Sequence, residues 1–311
     1  MTSVKVLTVL SLATLFASAF GQSENPARPG TLNYVEGSVA LGGRAVNQRS
    51  IGTIAMDAGQ TLSTANGHAE VLLTPGVFLR LDHDTTVKMV EPNLTQTEVE
   101  VDRGRAEVEV DALYKQNDLL IDDKTTQTKI LNRGLYEFDA NAGELKVFDG
   151  KAAVSPAQNA AKWVDVKGSH EFALNGESGK PQHFDKDASQ DELYNWSSLR
   201  ADYLGQANQS LLAGGYAGEA GVYPGWAWDP AFYGYTWLPY DGLLYSPFGF
   251  GFYSPGFFYG GGFGYRSGYA FHGGYGFHGG YAGGFANRSA GFAGGGGFHG
   301  GGGFHGGGGR R

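Results

Sequence analysis

The chain has 311 residues, a formal net charge of −8 and no cysteine. The missing thiols exclude disulfides, thiolate metal sites and a lipid-modified N-terminal cysteine, so stability in an oxidising compartment has to come from packing. Charge and glycine are unevenly spread: residues 1–241 hold all 31 acids against 19 Lys and Arg, residues 242–311 hold four Arg and no acid, and 35 of the 52 glycines fall at or after Gly214.

In chain order, Lys5 precedes an apolar run from Val6 to Phe20, with small residues at Ala17, Ala19 and Gly21. About fifteen apolar residues are too few for a membrane-spanning helix, so residues 1–21 read as a secretory signal peptide. The expected location is the periplasm or the cell surface, with no transmembrane helix once the leader is removed.

From about residue 30 to 180, short runs rich in Val, Leu and Phe alternate with turn residues every 8–12 positions. This spacing predicts an all-β domain, a twisted sandwich or a short solenoid. The predicted strands are Leu32–Leu41, His68–Leu73, Val77–Leu81, Thr97–Val101, Ala106–Val110, Leu119–Ile121, Leu135–Asp139, Leu145–Val154 and Trp163–Leu174. Thr74-Pro75-Gly76-Val77 suits a type II turn, because proline presets φ at the second position and glycine accepts positive φ at the third. Asn66-Gly67, Asn141-Ala142-Gly143 and Asp149-Gly150 read as turns likewise. Val35-Glu36-Gly37-Ser38-Val39, Val101-Asp102-Arg103-Gly104-Arg105-Ala106 and Phe148-Asp149-Gly150-Lys151-Ala152 each place an acid and a glycine between two apolar runs, as though one corner were used three times.

The clearest pattern is Thr97–Val110, two runs alternating apolar and acidic residues around Arg103-Gly104. Were that pair a tight hairpin, Glu100 would oppose Glu107 and Glu98 would oppose Glu109, and like charges facing across strands are unfavourable. The four glutamates therefore mark either a solvated face or a surface that receives a cationic or basic partner. Asp82-His83-Asp84 groups acids with a histidine, but three neighbouring side chains do not all point at one ion, and a turn after the Val77–Leu81 strand accounts for them. His68 and His170 read as surface or partly packed positions beside strands.

Asp187–Leu211 is the one strong helix: Leu193, Trp196, Leu199 or Arg200, Tyr203, Leu204 and Ala207 recur at steps of three and four. Acids at Asp187, Asp191 and Glu192 suit its positive N-terminal end. The helix either packs back on the β domain, capping a sheet edge, or protrudes to dock a partner. Residues 216–260 form an aromatic segment; from Tyr223 to Tyr259, 16 of 37 residues are aromatic. Interspersed Pro and Gly predict an irregular, partly extended ribbon. Its rings, Trp226, Trp228 and Trp237 among them, need a surface: the β domain, a second copy, the envelope or a glycan. Residues 261–311 repeat Phe-His-Gly-Gly and read as a flexible tail, with His272, His278, His299 and His305 as candidate ligands for a divalent transition metal.

Leu62-x-Thr64, Gly67-x-Ala69-x-Val71-x-Leu73, Pro75-Gly76, Leu79-x-Leu81, the Val99–Gly104–Val110 element, Gly134-Leu135-Tyr136-Glu137-Phe138 and Val147-x-Asp149-Gly150-x-Ala152-x-Val154 together resemble the FecR domain, over roughly residues 34–155. That family is named for the periplasmic part of the ferric-citrate sigma-factor regulator. The resemblance implies an all-β module making protein contacts in the periplasm, and it carries no ligand residues. The chain lacks the family's cytoplasmic anti-sigma segment and transmembrane helix, and has Thr74-Pro75-Gly76 where Asp-Gly-Ser is common.

Nothing in the sequence has the form of a catalytic centre. There is no G-x-S-x-G elbow, phosphate loop or dinucleotide fingerprint, and Gly42-Gly43 lacks the rest of both glycine motifs. The expectation is an exported bacterial protein, not an enzyme and without a cofactor, that contacts an envelope protein or self-associates. Metal binding by the tail histidines and glycan binding by the aromatic segment are the alternatives. Nucleic acid is excluded by export and by the sparse Arg266, Arg288, Arg310 and Arg311.

Overall fold

Alternation of side chains decides where each strand sits. In β6 (Gln96–Arg103), Thr97, Val99 and Val101 are buried while Glu98, Glu100 and Asp102 lie half-exposed, as in a sheet with one wet face. The computed structural model describes residues 26–123, 126–156, 163–174, 179–214 and 224–260. The predicted leader (1–21) and tail (261–311) lie outside the described residues, as do His272, His278, His299 and His305.

Among the described residues, fifteen strands form one continuous mixed sheet, which doubles over into two leaves. One leaf contains the C-terminal half of β3 (Thr61–Leu72), β4 (Val77–Leu81), β7 (Arg105–Val110), β10 (Gly134–Asp139), β11 (Glu144–Asp149), β14 (His170–Ala173) and β15 (Gln182–His183). The other contains the N-terminal half of β3, β5 (Thr86–Asn93), β6, β8 (Asp118–Asp123), β9 (Thr126–Ile130), β12 (Lys151–Pro156) and β13 (Val164–Lys167). The long β1 (Thr31–Leu41) runs along β3 through both leaves, and the short β2 (Arg44–Val46) pairs with β1. The inward residues of both leaves, such as Val71, Leu79, Val87, Val99, Val108 and Ile121, make one core.

The chain changes leaf at glycines. Gly37 of β1 faces Gly67 of β3 at a bulge, Gly104 separates β6 from β7, and Gly150 separates β11 from β12. The repeated acid–glycine phrase is thus one corner used three times. At Gly37 φ is +66°, and a Cβ there would run into the Asn66 carbonyl oxygen; an alanine would be both strained and crowded.

Several sequence expectations are corrected by these corners. Arg103-Gly104 is not a hairpin: β6 pairs with β5 and β8, whereas β7 pairs with β4 and β10. Asn66-Gly67 lies within β3 rather than between strands. Leu145–Val154 divides at Gly150 into β11 and β12, which do not pair with each other, and Trp163–Leu174 divides into β13 and β14. The Thr74–Val77 turn forms as expected: Val77 N–H donates to the Thr74 carbonyl at 2.8 Å, with Gly76 at φ +84°.

Helix α1 (Glu192–Ala213) starts where the Asp191 side chain accepts from Tyr194 N–H, four residues after Asp187. It packs over the outer face of the β4–β7–β10 leaf, not at an edge. The aromatic segment completes this outer layer as two short hairpins rather than an irregular ribbon: β16 (Gly225–Asp229) with β17 (Gly234–Leu238), and β18 (Leu243–Tyr245) with β19 (Gly251–Tyr253), followed by the short α2 (Pro255–Tyr259). Local chemistry makes the first turn. Asp229 accepts from Ala231 N–H at 2.9 Å, and Tyr233 takes a positive φ of 54°.

Rings and amides fasten this layer. Trp237, Tyr235 and Phe252 pack with Leu204 of α1 against Leu72 and Phe78 of the sheet. The Asn33 amide exchanges two hydrogen bonds with the Tyr235 backbone, at 2.7 and 3.0 Å. Asn208 of α1 donates to the Trp237 and Tyr253 carbonyls and accepts from Tyr253 N–H.

Candidate functional site

Beneath α1 the sheet carries charge where a roofed face ordinarily carries apolar residues. The register aligns Glu70, Arg80, Glu107, Glu137 and Lys146 in a row across β3, β4, β7, β10 and β11. Arg80 is fully buried and holds Glu70 through Nε at 2.9 Å and Glu109 through Nη1. From above, Arg200 of α1 reaches the other oxygen of Glu70 at 2.9 Å, while its guanidinium lies 4.1 Å from the Tyr34 ring centre. Burial opposes ionisation of Glu70, but Arg200 and Arg80 pull its carboxyl down to about 2.

The other buried acids have less cationic support. Neither carboxyl oxygen of Glu107 has a hydrogen-bond partner of good geometry. Burial pushes its carboxyl up to about 8, with Glu137 adding to the rise and Ser197 and Arg80 opposing it. Glu109 and Asp111 lie together, and burial raises both. Glu137 is also raised by burial, although Lys146 lies 3.6 Å away. These acids are closed off from solvent beneath the helix.

Glu107 and Glu109 are wholly buried, so they share no exposed surface with Glu98 and Glu100. Those two lie half-exposed on the opposite leaf, where Glu100 meets Lys88 at 3.2 Å and Glu98 accepts from Gln127 at 3.2 Å. Nearby Asp122 is raised to about 7 by burial and by Glu98. Trp237 is fully buried and offers no ring face to a glycan. Trp226 packs edge-on against Phe78, and Trp228 against Tyr233 and Tyr235. The surface these rings needed is the β domain and their own hairpin.

Two features that open to solvent lie along α1. Along the outer side of α1, Leu199 and Tyr203 are 49% and 43% exposed, with Trp196 partly exposed one turn before and Tyr233 of the neighbouring hairpin 49% exposed. Where α1 begins, a cleft lined by Glu36, Asn66, His68, His83 and Glu192 opens beside it. Arg105 clasps this end by pairing with both Asp82 and the capping Asp191. Among the described residues, His68, Asp82 and His83 bring three metal-ligating atoms within 4.8 Å of one another.

The sequence reading set His68 apart from Asp82-His83. A register that pairs Leu72 with Phe78 and Ala69 with Leu81 continues to His68 opposite Asp82, so extending the Pro75-Gly76 hairpin would have joined them.

No protein-family model matches the chain, and no curated protein matches it. Among solved structures, two crystal structures of a protein from Parabacteroides distasonis, described as a "putative anti-sigma factor", are similar to it at 15% and 14% identity. Each match has a TM-score of 0.34 and covers 45% of this chain and 64% of the other. The chain thus spans less than two thirds of that protein's length.

Proposed function

We propose that the chain is an exported, non-enzymatic FecR-domain protein that docks a partner protein through the outer side of α1. The observation that carries this reading is the pair Leu199 and Tyr203, large apolar side chains left exposed on a helix whose other side is filled, with Trp196 partly exposed one turn before them. Scattered exposed apolar residues need no explanation, but a contiguous row on one helix suits a recognition surface. Glu36, Asp191 and Glu192 border its N-terminal end, so the partner surface is apolar with basic residues at one side. FecR-like placement of Gly67, Gly104 and Gly150 at the corners supports the family reading, and the Lys5–Gly21 leader supports export. Among the described residues no helix is long and apolar enough to cross a membrane.

The test is a photo-crosslinking residue at position 199 of the full chain, expressed with its leader in a Gram-negative host that carries the natural envelope proteins. A discrete adduct that disappears on Tyr203→Asp, with the mature N-terminus found near residue 20 or 22, is the expected result. Labelling no stronger than at the exposed control position Asp57 would overturn the docking surface, and an uncleaved leader would overturn export.

A further inference from the structure

We propose that His68, Asp82 and His83 form a binding site for a divalent transition-metal ion of the zinc class, on the folded body and separate from the tail histidines. His68 Nε2 and His83 Nδ1 lie 3.3 and 2.8 Å from the same atom, Asp82 Oδ1. Donors around a tetrahedral zinc with bonds of about 2.0–2.2 Å sit roughly 3.4 Å apart. The three atoms are therefore near ligand spacing already, and the 54% exposed His83 side chain is the one free to make the adjustment.

The surrounding groups orient each ligand. His68 Nδ1 is 2.8 Å from Glu36 Oε1, and a carboxylate on one imidazole nitrogen is the usual device for presenting the other nitrogen to a metal. That other nitrogen, Nε2, is buried and has no hydrogen bond of good geometry. The ring plane is held by Trp196, stacked at 4.7 Å and 19°. Asp82 is 1% exposed, and its Oδ2 is occupied by Arg105 at 2.6 and 3.1 Å; Oδ1 accepts from the His83 backbone N–H at 2.8 Å and is the atom that faces both imidazoles.

Charge agrees with geometry. Two carboxylates flank His68, Glu36 at 2.8 Å from Nδ1 and Asp82 at 3.3 Å from Nε2, so a cation bound at Nε2 meets negative charge. Two imidazoles and one carboxylate suit Zn²⁺, Ni²⁺ or Cu²⁺, not Mg²⁺ or Ca²⁺, which take oxygen ligands. His68 and His83 line the same cleft as Gly37, Asn66 and Glu192, so the site opens to solvent. A three-ligand site of this kind keeps one position for water or an incoming donor.

The experiment uses the full chain carrying His272→Ala, His278→Ala, His299→Ala and His305→Ala, titrated with Zn²⁺ against a chromophoric chelator and with Co²⁺ followed by visible absorption. One equivalent of Zn²⁺ should remain bound in this background, with the intense d–d absorption of tetrahedral cobalt. His83→Gln, an exposed substitution, and His68→Gln should each weaken binding by at least about tenfold, and Glu36→Ala by about 10–100-fold. Unchanged urea midpoints would separate ligand loss from unfolding. Loss of all zinc binding on replacing the tail histidines would overturn the proposal, as would zinc affinity indifferent to His83→Gln in a folded variant.

Discussion

Glu107→Gln should make the protein more stable at pH 9 than its parent while changing little at pH 5. The Glu107 carboxyl is fully buried and raised from 4.5 to about 8. A carboxyl whose folded pKa exceeds its unfolded value binds more protons when folded, so stability falls as pH rises between the two values. The slope is about 1.4 kcal/mol per pH unit, and over the interval from 4.5 to about 8 the loss approaches about 5 kcal/mol. Glutamine keeps the shape and cannot ionise. Urea unfolding of both proteins at pH 5, 7 and 9 gives a difference curve in which groups common to both cancel, including Glu70, Asp82, Glu109 and Glu137 as long as their own shifts are unaltered. The difference should open in favour of the variant from pH 5 to 9 and level off beyond. Parallel stability curves across that range would refute the burial argument, since Glu107 would then ionise in the folded state as it does in the unfolded one.

Three further substitutions probe the layers. Arg80→Met leaves Glu70 and Glu109 buried without their shared cation and should cost about 3–5 kcal/mol in urea unfolding at pH 7; adding Glu70→Gln and Glu109→Gln should recover part of it, and a cost below about 1 kcal/mol would mean that Arg80 is not the central cation. Trp237→Ala should cost about 3–5 kcal/mol because the ring fills the space between Phe252, Phe78 and Leu204; a thermal midpoint equal to the parent's would detach the aromatic hairpins from the fold. Gly37→Ala should lose more than about 1 kcal/mol, since φ is +66° and the new Cβ meets the Asn66 carbonyl, whereas Gly42→Ala at φ +55° in open space should be milder; equal costs at the two sites would deny the close approach.

Most of the inner core was legible because period-two alternation survives wherever one face is buried, as in Val99-x-Val101 and Val108-x-Val110. What alternation cannot convey is what covers the other face. Glu98-x-Glu100 and Glu107-x-Glu109 have the same pattern, yet the first pair is half-exposed and the second lies under α1, because the Gly104 corner sends the two strands into different leaves. Strand β5 went unseen: its buried residues Val87 and Met89 stand among Thr, Lys and Glu and before Pro92. Strand β9 has Thr126, Thr128 and Ile130 inward, and buried threonines give little hydropathy signal. The aromatic hairpins were hidden by their Pro and Gly, which here lie mostly between the strands or at their ends rather than inside them.

The helix shows how the roof and the proposed docking surface are connected. Its sequence left Leu199 and Arg200 as alternatives for the inward face, and a hydrophobic interior would take the leucine. The sheet below presents Glu70, Glu107, Glu109 and Glu137, so the cation goes inward to Glu70 and the rotation carries Leu199 outward to 49% exposure. Ser197 and Asn208 follow Arg200 inward, and Tyr203 follows Leu199 outward. The acids of the sheet thereby fix which side of α1 faces water, and they leave Leu199 and Tyr203 on that side. Reversing that choice with Arg200→Leu would strand Glu70 with one cation fewer, so the buried charges and the proposed docking row depend on the same helix rotation.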